Sequence, residues 1–244
     1  MAKKKNQPTR TKLEEINDSL SGIEQKFEKH KKVIYWIVGS ILVIAAGFWA
    51  YYNWVHKNQV EKAKTELVAA DQLLSKGPQA TAQDSANALK IYEKVAKKYG
   101  NNFLFKNGYG NRAKLMAGGI LYALAAKSDN DQEKIKKYKE ALKYVEDYSP
   151  KGEIVGPSSQ SLLGDIYVNL GDNDKAIKAY DKAIELAGDN RGAVPYFMVK
   201  KANVLHFMKK YDEEIKILEE IETKYEGPGS MSMQIERAKA MSGK

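Results

Sequence analysis

Residues 157–190, PSSQSLLGDIYVNLGDNDKAIKAYDKAIELAGDN, constrain the fold more than any other part of this chain. Leu163, Gly164 and Tyr167 fall on one predicted helix, Gly171 makes a turn, and Ala176, Tyr180 and Ala183 fall on a second. Small residues at Gly164, Ala176 and Ala183 let two antiparallel helices approach closely. Tyr167 and Tyr180 fill the gaps that close approach leaves. One such pair cannot bury its own apolar face, so neighbours must stack on it.

Neighbours are legible on both sides. Residues 196–228 give a looser unit, with Ala202 at the glycine position followed by Tyr211, Glu214, Leu218 and Ile221. It is shifted by 38 residues rather than 34, and the four extra residues fit a longer connection around 189–194. Upstream, residues 137–148 match the second helix through Ala141, Val145 and Tyr148. Residues 111–127 precede them as its partner, with Gly119 and Tyr122 in the small and aromatic places. Residues 85–100 are a further second helix, carried by Ala88, Tyr92 and Val95, and residues 58–75, before them, match the signature poorly and are compatible with a continuation of an upstream helix. The segments 77–84 and 149–157 read as linkers, and 231–241 as a short terminal cap. The unit at 157–190 resembles the tetratricopeptide repeat (TPR), with Gln160 where that family usually has Trp and no proline near its end.

The other ruling feature is residues 33–55, VIYWIVGSILVIAAGFWAYYNWV, 23 residues without an Asp, Glu, Lys or Arg. At a helical rise of about 1.5 Å per residue such a helix crosses a hydrocarbon core of about 30 Å with some tilt. Tyr35 and Trp36 at one end, and Trp49, Tyr51, Tyr52 and Trp54 at the other, have the placing of interfacial aromatic belts. The apolar core is too long for a cleavable signal peptide and ends in bulky aromatics. Nine Lys/Arg precede it, with Lys29, Lys31 and Lys32 abutting, which favours a cytoplasmic N-terminus.

Before the span, residues 1–10 are basic and polar, whereas Leu13, Ile16, Leu20, Ile23 and Phe27 recur at a/d spacing and predict a short helix with one apolar seam. A membrane-surface helix, a coiled coil between two copies and a docking helix for another protein all suit such a seam. Residues 11–28 hold Lys12 and Lys26 against five acidic residues, so an anionic leaflet repels them and a protein contact is favoured.

The organisation expected is therefore all-α: a cytoplasmic tail over 1–32, a single transmembrane helix over 33–55, an α-solenoid of about four TPR-like helix pairs over 56–230, and a capping helix and tail over 231–244. A net charge of +9, only +5 of it beyond residue 32, is too weak a field to predict nucleic-acid binding. The chain has no cysteine, which excludes disulfides, thiol nucleophiles and thiolate metal sites. His30, His56 and His206 are scattered, and neither metal-ligand spacing nor a P-loop is present; GYG at 108–110 reads as a turn between helices. These features predict neither an enzyme nor a cofactor.

The TPR resemblance implies recognition along the first helix of each unit. It carries that role onto Met116, Ile120, Ala123 and Leu124 in the second unit, and onto Ser158, Ser161, Asp165, Val168 and Asn169 in the third. In the fourth it carries it onto Tyr196, Val199, Asn203, His206 and Phe207. The basic clamp by which some TPR modules hold a C-terminal carboxylate is unmatched, since Ser161 and Val199 stand where basic residues would be needed. Tail, span and array together resemble the membrane-anchored TPR proteins of the bacterial envelope, the YfgM-like ancillary subunits of the secretion translocon. That resemblance implies an inner-membrane, single-pass protein with a periplasmic array, whose partners are translocon subunits, periplasmic chaperones or client polypeptides. An assembly scaffold for outer-membrane or cell-wall biogenesis, and a tether forming homo-oligomers through its N-terminal helix, are the alternatives.

Overall fold

The computed structural model describes the backbone of residues 12–100, 108–150, 152, 154–225 and 231–243, and their side chains from Phe27 onward except Pro78. It forms two compact units, residues 1–58 and 59–244.

In the first unit α1 (Lys12–Ala50) runs without interruption through the segments predicted as a separate tail helix and span. Every side chain described within it is at least partly exposed, among them Trp36 at 78 % and Val43 at 72 %. The seam residues Leu13, Ile16, Leu20 and Ile23 lie outside the described side chains, and the seam's last member, Phe27, meets Tyr35 edge-on at 6.2 Å. A π-helical turn, Tyr51–His56, follows, in which Lys57 N–H donates to the Tyr52 carbonyl. The Asn53 amide donates to the Trp49 carbonyl at 3.0 Å, and a side chain entering the backbone ladder in this way accompanies such wide turns. Nothing in the residue pattern foretold it.

The second unit is all helix among the described residues: α2 (Lys57–Leu74), α3 (Ala82–Tyr99), α4 (Gly108–Ala126), α5 (Asp131–Glu146), α6 (Val155–Asn169), α7 (Asn173–Ala187), α8 (Ala193–Phe207), α9 (Tyr211–Lys224) and α10 (Ser232–Ser242). They pack as four successive pairs closed by α10, which confirms the expected solenoid. The core is correspondingly a string of clusters. Ala63, Leu67 and Ala70 of α2 share one with Ala88, Tyr92 and Val95 of α3. At the far end Leu218 and Ile221 of α9 share another with Ile235 and Ala238 of α10, which caps the array.

Three local expectations are corrected. The linker 77–84 is shorter than predicted, because Thr81 and Asp84 form a capping box and start α3 at Ala82. The Thr81 hydroxyl accepts from Asp84 N–H at 3.0 Å and the Asp84 carboxylate accepts from Thr81 N–H at 2.9 Å. Gly108, Tyr109 and Gly110 are the first turn of α4 rather than an inter-helix turn, and a Cβ on Gly110 would stand 2.5 Å from the Tyr99 backbone. In α4 the close-approach position is Gly118, not Gly119. A Cβ on Gly118 would lie 2.4 Å from Val145 Cγ2, whereas one on Gly119 would meet nothing within 4 Å. Gly119 was predicted because Tyr122 three residues on is aromatic like Tyr167, but it is Leu121 that is buried.

Two predictions follow from these ends. Lys76, the Thr81 backbone and the Thr81 hydroxyl hold the Asp84 carboxyl down from the ordinary 3.8 to about 2. A carboxyl whose pKa is lower when folded stabilises the protein above its unfolded value and loses that effect as pH falls through the folded one. The melting-temperature gap between wild type and Asp84→Asn should therefore hold steady from pH 7 to 5 and close between about pH 4 and 2. The α6–α7 turn uses Gly171 at φ 81°, and the equivalent α8–α9 turn places Lys209 at φ 60°. Lys209→Gly removes a strained left-handed side chain, and thermal melting should show a gain of about 0.5–1 kcal/mol.

Candidate protein-binding groove

The first helices of the last three pairs, α4, α6 and α8, carry the predicted groove residues, and two cavities gather many of them. One, of about 450 Å³, is lined by Leu74, Met116, Gly119, Ile120, Leu124 and Ser158, with Lys127 and others. Met116, Ile120 and Leu124 are spaced by four along α4, so one helix face presents them together. The other cavity, of about 480 Å³, lies between α6 and α8 and is lined by Asp165, Val168, Tyr180, Lys200, Asn203 and Phe207, among others.

On α8, Tyr196, Lys200, Asn203 and Phe207 follow at +4, +3 and +4 and form one stripe, whose aromatic ends are 55 % and 78 % exposed. His206 stands about 100° around the helix from Phe207 and leaves that stripe. Its Nδ1 lies 2.8 Å from Glu214 Oε2, a contact inside the α8–α9 pair, and its ring lies edge-on to Tyr211 at 5.5 Å. Of the other residues proposed by the alignment, Ser161 is only 4 % exposed and belongs to the packing, and Val199 packs against the terminal core cluster. Asn169 is exposed and donates to the Asp165 carbonyl at 2.8 Å.

What sequence reading missed is a polar latch at the base of the groove. Asp165 on α6 accepts from the Tyr180 hydroxyl on α7 at 2.7 Å and from Lys200 Nζ on α8 at 2.5 Å. Lys200 also sits over the Tyr196 ring at 5.0 Å. The same set recurs at the start of the array: Asp71 on α2 accepts from the Tyr92 hydroxyl on α3 at 2.5 Å, and from Arg112 on α4 through two bonds of 2.8 and 2.9 Å. Burial, then the neighbouring carboxylate, pushes both tyrosine hydroxyls far above their ordinary pKa, so both stay protonated donors. Asp71 holds the Arg112 guanidinium above its usual value in turn. A latch joins three helices from two consecutive pairs, so it fixes the angle between repeats and thereby the groove. A signal for it does exist in the sequence, since Tyr92 to Arg112 and Tyr180 to Lys200 are both steps of 20 residues.

Residues 157–190 match the tetratricopeptide repeat family. The array is a TPR-like α-solenoid. Among solved structures, the chain is similar to MamA protein, with a TM-score of 0.52 at 21 % identity over 75 % of this chain and 84 % of that one. It is similar also to nearly identical TPR-like repeats from Podosopora anserina, with a TM-score of 0.50 at 13 % identity over 75 % of this chain and 88 % of that one. At such identities the likeness shows the fold. No curated protein matches the chain. TPR folds generally serve as non-catalytic scaffolds for protein contacts, and a groove of exposed aromatics and apolar cavities on internally paired charges is suited to that work.

Proposed function

We propose that this chain is a membrane-anchored TPR scaffold of the bacterial cell envelope, working beside the secretion translocon and holding emerging or periplasmic client polypeptides in its groove. The observation that carries the binding role is the α8 stripe, in which Tyr196 and Phe207 stand exposed, Phe207 in the wall of a cavity, while their helix is tied to α6 by the Asp165–Lys200 pair. Aromatic side chains left in solvent on a rigid element supply contact area at low entropic cost.

The anchoring role rests on α1. The described helix from Phe27 to Leu74 is long and apolar enough to cross a membrane, and its most apolar window is not buried within the protein. An apolar helix of that length in a soluble core would be covered by its own chain. The Lys/Arg bias before Val33 supports a cytoplasmic N-terminus, and a periplasm-dependent reporter enzyme fused after Lys244 should be active. An inactive reporter rejects the orientation.

The role beside the translocon rests on likeness of architecture alone and is tested by photo-crosslinking from positions in 33–55 in intact cells. Translocon subunits among the adducts are the expected outcome. Outer-membrane assembly proteins would instead favour the biogenesis scaffold, and adducts between copies alone would favour the tether. In the groove, Tyr196→Ala with Phe207→Ala should weaken capture of an unfolded client about tenfold or more while circular dichroism stays unchanged.

A further inference from the structure

The two latches occupy equivalent places in the repeat. Asp71 follows the buried Ala70 as Asp165 follows the buried Gly164, and each tyrosine precedes its cation by 20 residues. The middle junction, between α4, α5 and α6, has the same frame. There Gly119 follows the buried Gly118, and Tyr138 precedes Ser158 by 20 residues. Where the other junctions place a carboxylate and a cation, this one has a glycine with open space around it and a serine, and Tyr138 packs instead against the Tyr122 ring at 5.5 Å. The apolar cavity of about 450 Å³ lies there, with both Gly119 and Ser158 in its wall. Two small residues in place of a salt bridge have opened a socket.

At the other two junctions the cations are already neutralised by Asp71 and Asp165. In the wall of the socket stands Lys127, exposed and without an ion pair among the described residues. Building on the client-binding reading above, we infer that this socket anchors one aliphatic side chain of an extended client polypeptide, with an acidic residue next to it on the client facing Lys127. An aliphatic side chain suits walls made by Met116, Ile120 and Leu124, and the acidic neighbour supplies the charge that the array withholds from Lys127.

The test uses the full chain in detergent micelles and fluorescein-labelled peptides of Gly and Ser that carry a Leu-Glu, Ala-Glu or Leu-Lys step, read by anisotropy. Leu-Glu should bind best, Ala-Glu at least tenfold more weakly, and Leu-Lys several-fold more weakly with a gap that shrinks in salt. Gly119→Leu fills the socket from within and should abolish the Leu over Ala preference without lowering the melting temperature, since the space is open and Leu is the better helix former. Lys127→Glu, a surface change, should reverse the preference to Leu-Lys. Equal affinity for the three peptides, or no binding up to millimolar concentration, overturns the inference, as do crosslinks from Ala123 that join two copies of the chain and never the peptide. If Gly119→Leu leaves client binding intact while the Tyr196→Ala, Phe207→Ala pair abolishes it, the socket falls and the groove reading stands. If neither matters, both fall.

Discussion

Asp165→Ala should lower the stability of the array by about 2–4 kcal/mol, measured by denaturant unfolding of the full chain in micelles. The change strips two donors at once: the Tyr180 hydroxyl at 2.7 Å, on a side chain only 2 % exposed, and Lys200 Nζ at 2.5 Å. A buried polar group left without a partner costs about 1–3 kcal/mol, and a broken buried ion pair about 3–5 kcal/mol. Lys200 keeps some access to water and can turn outward, which places the sum below the upper figures. Asp165→Asn retains an acceptor for Tyr180 and should lose about half as much. Asp71→Ala should behave alike through Tyr92 and Arg112 at the other end. An Asp165→Ala chain as stable as its parent would show that the latch ties nothing together.

Adjacent glycines of α4 should respond to alanine with opposite signs. Gly118→Ala drives a methyl to 2.4 Å from Val145 Cγ2 and 3.3 Å from the Ala141 carbonyl, where α5 cannot retreat without opening its core. Overpacking of this kind costs about 1–3 kcal/mol, only partly offset by the roughly 1 kcal/mol by which Ala is the better helix former. Gly119→Ala has that gain and no clash, so it should stabilise by about 0.5–1 kcal/mol. Gly164→Ala belongs with Gly118→Ala, since its Cβ would reach within 2.5 Å of the Tyr180 ring. Thermal melts of the three variants decide the register of the second repeat, and a destabilising Gly119→Ala would restore the alignment suggested by Tyr122.

The repeat period was legible because close helix approach demands small residues at fixed steps, and Gly164, Ala176 and Ala183 could serve no other purpose so economically. Helix starts were less legible. Thr81 with Asp84 caps α3 although the usual box ends in Glu or Gln, and Gly108 and Gly110 begin α4 because they are needed against the Tyr99 backbone, which no local pattern reveals. Gly118 and Gly119 are indistinguishable in sequence, and only Val145 across the interface tells them apart. The candidate recognition residues on α4, α6 and α8 come from the resemblance to the repeat family, and helical spacing adds only which of them share a face. That His206 meets Glu214 on the next helix is not legible in the sequence, and of the latches, each joining three helices, only the 20-residue step from tyrosine to cation is.

A photo-reactive residue at Ile120 in the groove, compared with one at Lys178 on the exposed side of α7, tests the central claim most directly. With an unfolded client present in the envelope, Ile120 should yield client adducts that Tyr196→Ala with Phe207→Ala diminishes, and Lys178 should yield few. Adducts of equal strength from both positions, or from Lys178 alone, would contradict a client groove on the first helices of the repeats.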